Sequence, residues 1–169
     1  MTSTVDEIEL AVHHGRLSVI PIGDAADELC GHEVRGRYVE RFWLPVLGPS
    51  TVVLLRHLAD LFDRAPSGTL IDLAETARAI GLGERAGKNA PLRRTIARAV
   101  DFGAAQLHDQ GLLVRRYLPP LSPRQLARLP EVLRLAHSGQ SGATGIVTGA
   151  WGRRPGEAAA ATRERALAG

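Results

Sequence analysis

Between Ser50 and Asp63 the sequence reads STVVLLRHLADLFD, and no other stretch restricts the fold as strongly. Val52, Leu54, Leu55, Leu58, Ala59, Leu61 and Phe62 recur at three- and four-residue intervals, with Arg56, His57, Asp60 and Asp63 between them. At helical pitch this spacing gathers the apolar side chains into one broad stripe and leaves the polar ones on the other side. A stripe that wide must be covered by several further elements. The chain of 169 residues is long enough for one compact domain with a real core, plus an arm or tail.

The cover is legible downstream. APSGT breaks the helix, and Thr69 to Ile71 suits a very short strand. Asp72 with Glu75 three residues later forms a capping-box-like start for a helix whose Leu73, Ala77 and Ile80 share a face, closed by Gly81 and Gly83. After the turn GLGERAGKN, Asn89 is placed to cap and Pro91 to occupy the first turn of another helix, where its missing N–H costs nothing. Leu92, Ile96, Ala99 and Val100 form the expected buried stripe of that helix. Arg94, Ala97, Arg98 and Asp101 are expected to face away, with Asp101 spaced to hold Arg98 in an ion pair. Gly103 closes it. AAQLH, the turn DQG and LLVRRYL then read as a hairpin stopped by Pro119 and Pro120. In LSPRQLARLPEVLRLAH, Ser122 caps, Leu126, Leu129, Leu133 and Ala136 align, and Pro130 is expected to kink or divide the helix.

Upstream, Ile8, Leu10 and Val12, then Leu17 and Val19, flank His13, His14 and Gly15, which suits two short strands joined by a turn. Tyr38, Phe42 and Trp43 stand at helical spacing and lead into the LPVLGPS turn. From Ser138 the chain is rich in glycine and poor in core residues, as in a flexible tail, with EAAAATRERALA helical at its end. The expected division is an extension over 1–48, a domain over 49–137 and a basic tail over 138–169.

Charge is distributed unevenly. Twenty of the twenty-one basic residues are arginine and the formal net charge is +3. Residues 1–48 carry four basic against eight acidic side chains, whereas residues 84–116 carry seven against three. Basic character begins at the helix that Asn89 opens, and its distribution matters more than the modest total.

The order of long helix, minimal strand, capped helix, basic helix and two-stranded hairpin resembles a winged helix-turn-helix domain. The resemblance covers residues 50–118, about two fifths of the chain. It rests on IDLAETARAIGLG as the first helix of the motif, APLRRTIARAVDFG as the recognition helix and AAQLHDQGLLVRRYL as the wing. The fold it implies is mainly α with short β-strands. The resemblance also implies that residues 91–102 enter the major groove of double-stranded DNA, in a transcriptional regulator. Arg94 and Arg98, one turn apart, would read base edges, and Thr95 belongs to the same contact set. Arg93, Lys88, Asn89 and the free amides of the helix start would meet phosphates, and Arg115 and Arg116 of the wing would meet backbone or minor groove. In the tail, Arg153, Arg154, Arg163 and Arg165 would add nonspecific attraction. The helix over 123–137 is a candidate homodimer interface.

Winged helices also serve as protein adaptors, and here the acidic extension with FWLPV would then be the contact. Other chemistry has little support. Cys30 is the single cysteine, which excludes an internal disulfide framework, and neither Cys30 with His32 nor His13 with His14 makes a metal-ligand set. GQSGATGIVTG lacks the lysine and hydroxyl ending of a phosphate-binding loop and reads as a linker. No nucleophile, base and orienting acid stand in a recognisable context, so neither an enzyme nor a cofactor is expected. No run is long and apolar enough for a membrane span, nor does the amino terminus resemble a secretory signal, so a cytoplasmic protein is expected.

Overall fold

The computed structural model describes residues 3–23, 25–83, 90–109 and 111–141. The chain divides into two units, Met1–His137 and Ser138–Gly169. The tail arginines lie outside the described residues.

The first unit is mixed α/β. Its order is α1 (Thr4–Ala11), β1 (Arg16–Ile22), α2 (Ala25–Cys30), β2 (His32–Glu33), a π-helical turn (Val39–Trp43) running into α3 (Leu44–Leu47), α4 (Pro49–Arg64), β3 (Thr69–Asp72), α5 (Leu73–Ala79), α6 (Pro91–Asp101), β4 (Ala105–His108), β5 (Gly111–Arg115), β6 (Tyr117–Leu118) and α7 (Pro123–Leu126). α8 (Glu131–Ser141) follows. It continues as helix through Ser138, where the composition suggests a linker.

α4 is the central packing element. Val52, Leu54, Leu55, Leu58, Ala59 and Phe62 of its expected stripe are buried, and Thr51 joins them. The N-terminal segment supplies Ile8, Leu17, Val19, Val34, Val39, Phe42, Trp43 and Leu47 to the same core. The Trp43 indole N–H donates to the Pro119 carbonyl at 2.9 Å, tying the π-helical turn to the chain after β6.

Four strands form one sheet in the order β3-β1-β5-β4. β1 runs antiparallel to β3, with Leu17 opposite Ile71, and parallel to β5, with Val19 opposite Leu112. β4 and β5 form the antiparallel hairpin expected from sequence. Pro21 stands past the last β3 pair at Val19, where β5 alone flanks β1, a location that spares one ladder the missing N–H. Close contact between β1 and β5 explains Gly111: its φ is 134°, and a Cβ there would collide with the Ser18 carbonyl.

One expected strand is a helix. Ser3 caps α1 and exchanges hydrogen bonds with Asp6 in a capping box, so the local signal at the start of the chain outweighs the alternation of Ile8, Leu10 and Val12. The turn after it does form: His13 and Arg16 bridge, and His14 and Gly15 take φ of 51° and 77°. At the other end, Ser122 and Gln125 make a capping box for α7, and Pro130 separates α7 from α8.

Candidate nucleic-acid interface

α6 forms because Pro91 fits its first turn and three strong apolar positions follow at helical spacing. Leu92, Ile96 and Ala99 are buried and Val100 is half-buried. The helix lies against α1, α4, α5 and β4. Its cap residue is Ala90, which makes no side-chain cap bond. Lys88 and Asn89, expected as a phosphate contact and the cap, lie outside the described residues.

The polar side of α6 is partly occupied. Arg93, Ala97 and Asp101, spaced one turn apart, form a strip lined by α1: Arg93 pairs with Glu9, and the Thr4 hydroxyl donates to Asp101 at 2.9 Å. Ala97 is therefore buried rather than outward-facing, and Asp101 holds Thr4 rather than Arg98. Thr95, expected near DNA, is buried too, with its hydroxyl donating to the Pro91 carbonyl at 3.0 Å. A buried hydroxyl turned back on its own helix is satisfied there.

Arg98 is held by a different segment. Its Nε donates to the Leu47 carbonyl at 2.6 Å and a terminal nitrogen to the Val46 carbonyl at 2.7 Å, while its guanidinium lies 5.0 Å from the Phe102 ring centroid. These carbonyls end α3, where the helix leaves acceptors without intrahelical partners, and a cation there is favourable. Arg94 is exposed, and its side chain makes no hydrogen bond or ion pair with another described residue.

In the hairpin, Arg115 is half-buried opposite Ile22. Arg116 pairs with Asp63 at 2.5 Å, in a network where Arg35 also meets Asp63 at 2.5 Å, Asp60 at 2.9 Å and Glu33 at 2.6 Å. Hydrogen bonding from Arg35, aided by the Arg116 charge, holds the Asp63 carboxyl below its ordinary range, and the three acids raise Arg35 further. The network joins the end of α4 to β2 and to the residue between β5 and β6, so Arg116 has a structural partner.

Other features of the surface were less visible in sequence. Leu44 and Val53 are 36% and 44% exposed, and Pro45 and Pro49 are exposed beside them, close to where Arg98 meets α3. FWLPV is thus split, with Phe42 and Trp43 inside and Leu44 and Pro45 outside. A depression of about 550 Å³ opens between the turn after α1 and the tip of the hairpin, with His13, His14, Arg16 and Asp109 around it. Among the described residues no group of three His, Cys, Asp or Glu side chains is arranged to hold a metal.

His32, spaced from Cys30 like a ligand, instead stacks on Tyr38 with ring centroids 3.5 Å apart. The Tyr38 hydroxyl lies 2.8 Å from His137 Nε2 and accepts from the Leu121 amide at 3.0 Å. Burial lowers the pKa of both histidines, and the proximity of His137 lowers that of His32 further. No helix among the described residues is long and apolar enough to cross a membrane. Compared with known proteins, the chain matches no family model, no curated protein and no solved structure.

Proposed function

We propose that this protein is a winged-helix DNA-binding protein with a regulatory role, and that α6 is its contact helix. The observation that carries the reading is the succession α4, β3, α5, α6, β4 and β5, in which α6 leaves Arg94 exposed and leads directly into an antiparallel hairpin. A guanidinium in that position bridges guanine O6 and N7, a pairing that contributes about 1–3 kcal/mol of discrimination. Arg93 beside it is the phosphate contact, together with Lys88 and the first free amides of α6. The interposed β1 is the departure from a plain wing, because β5 pairs with β1 rather than directly with β3. Two copies joined through α8, where Val132 and Leu135 are 70% and 67% exposed, would present paired contact helices.

Selection of bound duplexes from a random pool tests this reading. A motif should be enriched, and Arg94→Ala should relax preference at one position while the protein remains folded. Absence of any enriched sequence counts against it.

A second reading draws on a separate observation. Arg98 and Arg116 are committed to internal partners, while Leu44, Pro45, Pro49 and Val53 lie exposed beside α6. An adaptor would use that apolar surface to hold a protein partner. Its signature is weak binding to duplex that is indifferent to salt, alongside capture of a protein that Val53→Asp abolishes.

A further inference from the structure

We propose that α1 is a displaceable acidic cover that competes with nucleic acid for α6, so that duplex affinity is set by how readily α1 leaves. This rests on α6 being the contact helix. α1 carries Asp6, Glu7 and Glu9 and no basic residue. It occupies the strip of α6 that runs from Arg93 through Ala97 to Asp101, and it touches β4 as well, so it lies where the helix and the hairpin adjoin.

The match between α1 and α6 is chemical as well as steric. Glu9 gives Arg93 a carboxylate, and a guanidinium takes carboxylate and phosphate with the same donors. Thr4 offers a hydroxyl donor to Asp101, the single acidic residue of α6. Ala97 lies between these two contacts and is buried. The helix thus places an acid where a phosphate would sit, and it meets the one acid of α6 with a neutral group.

Detachment of α1 uncovers Ile8 together with the half-buried Val5 and Ala11, and little else. Ile8 is the one fully buried side chain of α1, and Leu10 is 76% exposed. The helix has eight residues, well short of the roughly 12 to 15 at which an isolated helix becomes even marginally stable. The β1 ladder starts at Arg16, beyond the turn at His14 and Gly15. α1 therefore leaves without breaking strand pairing. Its departure sets Arg93 free next to Arg94, giving two adjacent guanidinium groups in the first turn of α6.

The test uses the full chain and a fluorescently labelled duplex of mixed sequence. Ile8→Asp unseats the anchor, Glu9→Ala removes the contact to Arg93, and Glu7→Ala removes an equal charge from an exposed position to set the electrostatic baseline. Ile8→Asp is expected to bind duplex about tenfold more tightly, the gain when a largely closed state is opened. Glu9→Ala should gain more than Glu7→Ala, and duplex should speed hydrogen exchange at the amides of Val5 to Ala11 in the unmodified protein. Should Ile8→Asp fail to fold, Glu9→Ala and the exchange measurement still decide. Binding with unchanged protection of α1, and equal effects of Glu7→Ala and Glu9→Ala, overturns the cover but leaves the contact helix standing. Absence of duplex binding by every folded variant rejects both.

Discussion

Replacing Arg98 by alanine separates a structural arginine from a reading one. The side chain supplies two charge-assisted hydrogen bonds, to Leu47 and Val46, at 2.6 and 2.7 Å. Bonds to charged groups contribute about 1.5–3 kcal/mol, but Arg98 is an exposed residue and water competes, so about 1 kcal/mol each is the appropriate scale. The contact with the Phe102 ring at 5.0 Å adds about 0.5 kcal/mol. Arg98→Ala should therefore cost about 2–2.5 kcal/mol. With a urea m-value of about 2 kcal/mol/M for a small domain, the unfolding midpoint falls by about 1 M. Arg98→Lys keeps the charge but not the forked donor geometry, and should recover less than half of the loss. Arg94→Ala is the comparator and should stay within about 0.5 kcal/mol of the unmodified protein. Coincident midpoints for Arg98→Ala and Arg94→Ala, at equal m, would refute the assignment of Arg98 to the end of α3.

Other expectations follow from the packing. Because burial lowers the pKa of His32 and His137, the unfolded chain binds more protons below its ordinary histidine range. Stability is thus fully present above pH of about 6.5 and declines as pH falls towards the folded-state values; His137→Gln should flatten that decline in melts taken from pH 7.5 to 5. Gly111→Ala should cost about 3 kcal/mol, combining an unfavourable positive φ with collision against Ser18, and a thermal midpoint near that of the unmodified chain would contradict the close approach of β1 to β5. Trp43→Phe retains a ring but leaves the Pro119 carbonyl without its donor, a loss of about 1–2 kcal/mol readable by chemical denaturation.

Helical period and caps made the elements of residues 50–137 legible, whereas the last turn of α8, past Ser138, lies where composition points to a linker. The stripe of α4, the Asp72 cap of α5, the apolar positions of α6 and the hairpin after Gly103 are local features, and each appears within the described residues. What escaped was long-range. The insertion of β1 between β3 and β5 joins positions about fifty to ninety residues apart, and no period in either segment encodes the pairing. Arg98 meets carbonyls more than fifty residues upstream, so its helical position alone points to solvent or to Asp101 and not to α3. α1 was recoverable, since Ser3 followed by Asp6 is a capping-box spacing, but the alternation of Ile8, Leu10 and Val12 carries the opposite signal. Buried Ala97 and paired Arg93 then follow from α1, which is why a helical wheel of α6 by itself misassigns that face.

The salt dependence of duplex affinity, measured on the full chain and on Ile8→Asp, tests the central claim most directly. If α6 meets the phosphate backbone, log affinity should fall against log salt with a slope of about −4, the value for four or five neutralised phosphates, and the Ile8→Asp line should lie above that of the unmodified chain. A flat dependence in both proteins, with each still folded, would contradict a nucleic-acid role for this helix.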